Sequence, residues 1–80
     1  MNPDIVNVKP QSDYTLILWF ENGEKKMFDM KPYIEKKGTV FYQLRDPQLF
    51  NTASLFFGTV QWANEADLCR DTFYRNSIQC

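Results

Sequence analysis

Residues 16–29 read Leu16-Ile17-Leu18-Trp19-Phe20-Glu21-Asn22-Gly23-Glu24-Lys25-Lys26-Met27-Phe28-Asp29, and this stretch decides the fold. Its Asn22-Gly23 pair stands between two runs of strand-forming residues, which is the strongest short-range signal for a β-hairpin. Both central residues of a type I′ turn need a positive φ, and Asn and Gly adopt it most readily. The stretch therefore predicts two antiparallel strands, 14–20 and 24–30, joined by a tight turn.

The register of this hairpin depends on the length of its turn. A two-residue loop, which we favour, places Ile17 opposite Phe28, whereas a three-residue loop with Gly23 in a G1 bulge would place Leu16 opposite Phe28. In the favoured register one sheet face carries Leu16, Leu18, Phe20 and Met27, and the other carries Ile17, Trp19 and Phe28. Because both faces are apolar, the second needs a cover, which is a helix, loops or another copy of the chain.

Other elements follow from turn and cap residues. A first strand over 5–8 is expected to stop at Pro10, because proline lacks the N–H that a sheet needs. Pro32 suits the first turn of a short helix that stops at Gly38. Residues 40–44 fit either a helical turn or a brief strand, and the sequence leaves both open.

The second half of the chain predicts one more hairpin and two more short helices. Asp46 is a helix cap followed by Pro47 in the first helical position. Runs at 52–57 and 59–62 predict two strands around Gly58. Asp71 is expected to cap a last helical segment over residues 72–77.

The fold class predicted from this order is α+β. We expect one domain spanning residues 1–80, built as two layers with an antiparallel sheet of about five short strands and two or three short helices. A chain of this length buries only about 60% of the surface that its unfolded form exposes, so its aromatic residues are expected mainly in the core.

Composition narrows the possible partners. The chain has 9 basic and 10 acidic residues and a formal net charge of −1, so no net field attracts it to nucleic acid or anionic lipid. Its two cysteines, Cys69 and Cys80, are too few for a secreted disulfide framework, and the first residues do not resemble a signal peptide. No apolar run approaches the roughly 20 residues that span a bilayer. These features favour the cytoplasm, with no membrane partner and no direct nucleic-acid partner.

Three groups of segments resemble one protein family in their order and spacing. They are Phe20-Glu21-Asn22-Gly23-Glu24 with Phe28-Asp29, then Leu44-Arg45-Asp46-Pro47-Gln48-Leu49-Phe50, then Trp62-Ala63-Asn64-Glu65-Ala66-Asp67-Leu68 leading to Asp71-Thr72-Phe73-Tyr74. Together they resemble domain-of-unknown-function family 2442 of small bacterial proteins, over nearly the whole chain. The chain departs from the family pattern at Ala63 and Glu65, where Pro and Gly are common.

The resemblance implies a small α+β domain with no established enzymatic activity. Some members of that family precede a helix-turn-helix region, which this chain does not have after Tyr74. Others lie beside another small protein in a manner that suggests toxin–antitoxin-like pairs. The resemblance therefore implies a protein partner.

The acidic loop of residues 62–68 is the main candidate for chemistry. It holds Asn64, Glu65 and Asp67, with Asp71 further on, and three carboxylates close together could bind a hard cation that needs six or more oxygen ligands. The spacing lacks the central glycine of a calcium loop, so we favour Asx turns and caps. The chain has no His to act as a base, and we expect Cys69 to be packed rather than reactive. No catalytic residue, metal ligand, cofactor or small-molecule site is predicted.

The function predicted from the sequence is that of a non-enzymatic protein-interaction module. Its partner would be a second copy or a separately encoded small protein, and Trp19 is either an interface anchor or a part of the chain's own core. Two alternatives are a DNA-associated regulatory accessory domain and a small metal-dependent hydrolase using Asp67 and Asp71. The candidate interaction residues are Trp19, Phe28, Trp62, Asn64 and Asp67.

Overall fold

A computed structural model describes residues 2–79 of the chain. In chain order the elements are strand β1 (Ile5–Pro10), strand β2 (Thr15–Phe20), strand β3 (Lys25–Asp29), helix α1 (Lys31–Ile34), a 3₁₀ helix (Val40–Arg45), helix α2 (Pro47–Phe50), strand β4 (Ser54–Phe56), strand β5 (Thr59–Gln61), strand β6 (Asp67–Leu68), helix α3 (Arg70–Asn76) and strand β7 (Ile78–Gln79). The strands form one antiparallel sheet in the order β1-β2-β3-β7 and a second in the order β4-β5-β6. The predicted α+β class is confirmed, with more and shorter strands than expected.

The β2–β3 hairpin has the three-residue turn, so the favoured two-residue register is wrong. Leu16 lies opposite Phe28, and the Phe20 N–H donates to the Glu24 carbonyl at 2.9 Å. Within the loop only Gly23 has a positive φ, at 90°, because this turn needs one left-handed residue rather than two. The Asn22 side chain accepts from the Glu24 N–H at 3.1 Å, which stabilises this longer loop.

The corrected register exchanges two side chains between the sheet faces. Phe28 lies in the core and is 1% exposed, whereas Met27 lies on the opposite face with Ile17. The core contains side chains from both sheets and from every helix, which are Ile5, Leu16, Leu18, Phe20, Phe28, Met30, Ile34, Leu44, Phe50, Val60, Trp62, Ala66 and Phe73. All the helices therefore pack on the Leu16–Leu18 face of the four-stranded sheet.

The predicted hairpin around Gly58 is confirmed as β4–β5. Phe56 lies opposite Thr59, so its loop contains only Phe57 and Gly58, whose φ angles are 47° and 81°. Two positive φ angles are the mark of a type I′ turn. The turn type expected at residues 22–23 therefore occurs at this hairpin, with an aromatic residue in its first central position.

The β5–β6 hairpin repeats the construction of the β2–β3 turn. The Trp62 N–H donates to the Ala66 carbonyl at 3.0 Å, and Asn64 accepts from the Ala66 N–H at 3.1 Å, as Asn22 does from Glu24. Gly23 occupies the left-handed position in the β2–β3 hairpin, and Glu65, with φ 68°, occupies it here. Strand β6 has only two residues, which is too short to leave a periodic signal in the sequence.

Asp4 connects the two sheets. Its carbonyl accepts from the Glu21 N–H at 2.9 Å, and its carboxylate pairs with Arg70 at the start of α3. A Cβ added to Gly58 would lie 2.7 Å from the Asp4 carboxylate, and the next residue, Ile5, donates its N–H to the Gly58 carbonyl at 2.9 Å. The β4–β5 turn is thereby attached to the beginning of β1.

Of two helix caps predicted from the sequence, the structure confirms one and contradicts the other. Asp46 caps α2 as expected, since its carboxylate accepts from the Gln48 N–H at 3.0 Å. The prediction that Asp71 caps α3 is wrong: α3 begins at Arg70, two residues before the predicted start at Thr72, and Asp71 lies inside its first turn. The capping position is Cys69, whose extended backbone follows directly from β6. Residues 40–44 belong to the 3₁₀ helix, which settles that open choice.

We expect Glu65→Gly to stabilise the protein by about 1 kcal/mol, because glycine adopts the left-handed backbone without the steric cost that a Cβ imposes. Urea unfolding followed by circular dichroism measures the change. Glu65→Ala is the matched control, since it removes the same side chain but keeps the Cβ. Equal stability of the Gly and Ala variants would contradict the prediction.

Candidate interaction surface

The second face of the four-stranded sheet is apolar and carries no helix of the described chain. Two rows of paired residues lie on this face. The first row crosses all four strands and consists of Lys9, Ile17, Met27 and Ile78, and the second crosses three strands and consists of Asn7, Trp19 and Lys25. We call these residues the Trp19 face. Ile17, Trp19 and Met27 are half-buried, and Ile78 is 67% exposed. The cover predicted for this face is therefore not supplied by any helix within residues 2–79.

Trp19 occupies a central strand of this face. Its indole lies 5.6 Å from Lys25 Nζ, a cation–π contact between neighbouring strands. Asn7 lies opposite it on the other side, in β1. The ring is thus bordered by polar groups and only partly removed from water, which is the environment of an interface anchor before binding.

Two of the predicted interaction residues are buried instead. Phe28 is 1% exposed and packs edge-to-face on Phe73, with ring centroids 4.8 Å apart. Trp62 is 2% exposed, and its indole N–H donates to the Phe50 carbonyl at 2.9 Å. Neither side chain can contact a partner in this structure.

Asn64 and Asp67 lie in the β5–β6 hairpin. The Asn64 amide donates to the Val40 carbonyl at 3.1 Å and to Gln43 Oε1 at 2.9 Å, which holds the turn against the 3₁₀ helix. Asp67 is exposed in β6, and Asp71 accepts a hydrogen bond from Asn2 at 2.9 Å. Within residues 2–79 no three His, Cys, Asp or Glu side chains are grouped so that they could hold a metal ion.

The tip of the β4–β5 hairpin is a second exposed apolar surface, and sequence reasoning missed it. Phe57 is 91% exposed and Phe56 is 41% exposed, and their rings pack edge-to-face with centroids 4.6 Å apart. Leu55 beside them is 45% exposed. The available signal was a Phe-Gly pair between two strands, at a position where Asn-Gly or Asp-Gly is the preferred turn sequence.

A cavity of about 400 Å³ opens beside strand β3. Its walls come from β3, α1, the segment after α1, the end of α3 and β7. The lining residues are Met27, Phe28, Asp29, Pro32, Tyr33, Lys36, Asn76 and Ile78. Two of these residues, Met27 and Ile78, also belong to the Trp19 face. The cavity therefore adjoins that face at the β7 edge of the sheet.

A polar cluster attaches the β2–β3 turn to α3. Glu24 accepts from the Tyr74 hydroxyl and from the Asn22 amide, and Lys26 Nζ donates to the Tyr74 carbonyl at 3.1 Å. The hydrogen bond from Tyr74, followed by that from Asn22, holds the pKa of Glu24 below its ordinary value. The same bond to Glu24, with partial burial, raises the pKa of Tyr74.

Cys69 is exposed, so the prediction that it is packed is wrong. Its Sγ lies 3.4 Å from Thr72 Oγ1 at the start of α3, and this hydrogen bond lowers the pKa of the thiol. The thiol is exposed because Cys69 lies between β6 and α3, outside either element.

None of the helices in residues 2–79 is long and apolar enough to cross a membrane. The longest, α3, has 7 residues.

A family model matches residues 5–79, and the family is described as protein of unknown function (DUF2442). The match covers nearly the whole chain and confirms the resemblance found in the sequence. The chain belongs to this family. Neither the curated proteins nor the solved structures include a match to it.

We expect Glu24→Gln to reduce the loss of stability at acid pH. Because the folded-state pKa of Glu24 is lowered, its contribution is complete above the ordinary glutamate pKa of 4.5 and is lost as the pH falls below it. Urea unfolding between pH 3 and pH 7 should therefore give a shallower pH dependence for the variant than for the wild-type protein.

Tyr74→Phe removes the main hydrogen-bond donor to Glu24. It should also flatten the acid limb of the stability–pH curve, which is the part where stability falls at low pH. It should also change the alkaline limb, because a raised tyrosine pKa contributes stability below the unfolded pKa that is lost as the pH rises. Glu35→Gln, at an exposed position outside this cluster, is the control. An unchanged acid limb in both cluster variants would contradict the role assigned to the Glu24–Tyr74 bond.

Proposed function

We propose that this DUF2442 protein is a non-enzymatic domain that binds another protein through the Trp19 face. The observation that carries the proposal is a half-buried tryptophan on a central strand of an apolar sheet face that no described helix covers. All the described helices pack on the other face of this sheet, where their side chains complete the core.

The composition of the face suits a protein interface. Ile17, Met27 and Ile78 form an apolar row beside Trp19, and Asn7, Lys9 and Lys25 form a polar border. Specific interfaces have an apolar centre with an aromatic anchor and a polar rim. Burying such a face supplies a hydrophobic free energy of about 25 cal/mol for each Å² of apolar surface removed from water.

The charges of the border favour a partner other than a second copy. Lys9 and Lys25 are the charged members of the two rows, and Asp29 in the next row is an acidic residue of the same face, so an isologous contact of this face with itself would place four lysines and two aspartates, a net positive charge, in one interface. Like charges at an interface disfavour that pairing. A partner with an apolar patch bordered by carboxylates would instead be complementary.

We therefore propose that the partner is a separately encoded small protein, in an arrangement of the toxin–antitoxin type. The same proposal places the pair in the bacterial cytoplasm, which agrees with the near-neutral charge and the two cysteines of the chain. Such an interface would bury about 1,200–2,000 Å² in total.

The proposal predicts that a protein is captured from extracts of the native cell and that its binding depends on Trp19. Trp19→Ala should weaken the purified complex by about 2 kcal/mol, roughly 30-fold in Kd, as measured by calorimetry. Lys25→Glu should also weaken binding, whereas Lys37→Glu makes the same charge change at an exposed position outside the face. Circular dichroism should confirm that all three variants are folded.

Two results would contradict the proposal. One is that no protein is captured by the wild-type chain. The other is that the captured protein binds Trp19→Ala and Lys25→Glu as tightly as it binds the Lys37→Glu control.

A further inference from the structure

The turn at Phe57 and Gly58 has two unfavourable features, both at Phe57. Phe57 has a left-handed backbone, with φ 47°, at a position that prefers Asn or Asp. Its side chain is 91% exposed, and its aromatic contact is the neighbouring ring of Phe56. A bulky residue held in a disfavoured conformation and exposed to water points to a function of the side chain itself.

The chain also has an apolar cavity without an occupant from its own described residues. The cavity beside β3 has a volume of about 400 Å³, within the range of about 300–1,000 Å³ typical of ligand pockets. Its walls include the rings of Phe28 and Tyr33 and the apolar side chains of Pro32 and Ile78. One lysine and one aspartate, Lys36 and Asp29, also line it, so their charges balance. An uncharged aromatic side chain fits this chemistry.

The Phe57 tip and the cavity lie beside opposite edges of the four-stranded sheet. The tip is attached to β1 through the hydrogen bond from the Ile5 N–H to the Gly58 carbonyl at 2.9 Å. The cavity opens beside β3 and β7, and the sheet order is β1-β2-β3-β7. The tip of one molecule is therefore placed to reach the cavity of a neighbouring molecule rather than its own.

We propose that the protein self-associates head to tail, with Phe57 of one copy inserted into the β3 cavity of the next. The turn holds the ring in an exposed position before binding, which lowers the ordering cost of association. Because the two contact surfaces differ, the contact is heterologous and produces open chains or rings rather than a closed two-fold dimer. A contact centred on one side chain is smaller than a standard interface, so association is weak and depends on concentration.

This self-association uses the Phe57 tip and the β3 cavity, and the cavity shares Met27 and Ile78 with the Trp19 face. Neither of these two shared residues is changed in the test. Trp19→Ala leaves both the tip and the cavity walls intact. Loss of one interaction can thus be distinguished from loss of the other.

The test uses two variants that each remove one half of the contact. Phe57→Asn removes the ring and places a preferred residue in the left-handed position, so its thermal stability should not fall. Asn76→Glu places a carboxylate at the exposed rim of the cavity, and Gln79→Glu adds the same charge outside the cavity walls. Sedimentation velocity and light scattering up to ~1 mM protein give the mass of each species.

The wild-type chain, Trp19→Ala and Gln79→Glu should all increase in mass with concentration, and continue beyond the dimer. Phe57→Asn and Asn76→Glu should each remain monomeric. An equimolar mixture of these two should form a 1:1 dimer and no larger species, because the first keeps an intact cavity and the second keeps an intact tip.

The inference would be overturned by a wild-type chain that remains monomeric throughout, or by a mixture of the two variants that does not dimerise. Self-association that survives Phe57→Asn but is lost in Trp19→Ala would also overturn it. That result would assign the contact to the Trp19 face and would contradict the separate partner proposed for it as well.

Discussion

The left-handed backbone at Gly23 is the constraint on which the rest of the structure depends. It makes the β2–β3 loop three residues long, and this length sets the register of β3 against β2. Because side chains alternate between sheet faces, a shift of one residue exchanges Phe28 and Met27. Phe28 then packs against Phe73 of α3 and Tyr33 of α1, at centroid distances of 4.8 Å and 5.7 Å. The packing of both helices on the sheet follows from one turn.

Features encoded by neighbouring residues were predictable from the sequence. The cap at Asp46 and the hairpin around Gly58 depend on local chemistry, and both are present where they were expected. The length of the β2–β3 turn was not predictable, because Asn22-Gly23 suits a two-residue turn and a three-residue turn alike. Strands β6 and β7 have two residues each, and their pairing depends on partners distant in the chain. The periodicity of a single sequence does not indicate which distant strands pair with each other.

The candidate surface was only partly predictable for a related reason. Alternation along β2 placed Trp19 on the face away from Leu16 and Leu18, and the structure has it there. Aromatic identity alone did not separate Trp19 from Trp62, because exposure depends on which face the helices cover. Phe57 was assigned to a strand by its strand-forming character, although the Gly that follows it forms the turn together with it.

The β2–β3, β4–β5 and β5–β6 turns each need a left-handed residue, and they use different residue types for it. Gly23 meets this requirement without cost, and Glu65 meets it in a turn that Asn64 holds by hydrogen bonds to Val40, Gln43 and Ala66. The Phe57 side chain has no comparable support, since it is almost fully exposed. Backbone strain that neighbouring hydrogen bonds offset serves the stability of the fold. Backbone strain that holds a large apolar side chain in water needs another explanation, which is a contact made by that side chain with a partner. The same distinction separates Trp62, whose indole is buried and donates a hydrogen bond to the Phe50 carbonyl, from Trp19, whose side chain is half-buried. Trp19 and Phe57 both lack full burial, and both lie on surfaces that no described helix covers.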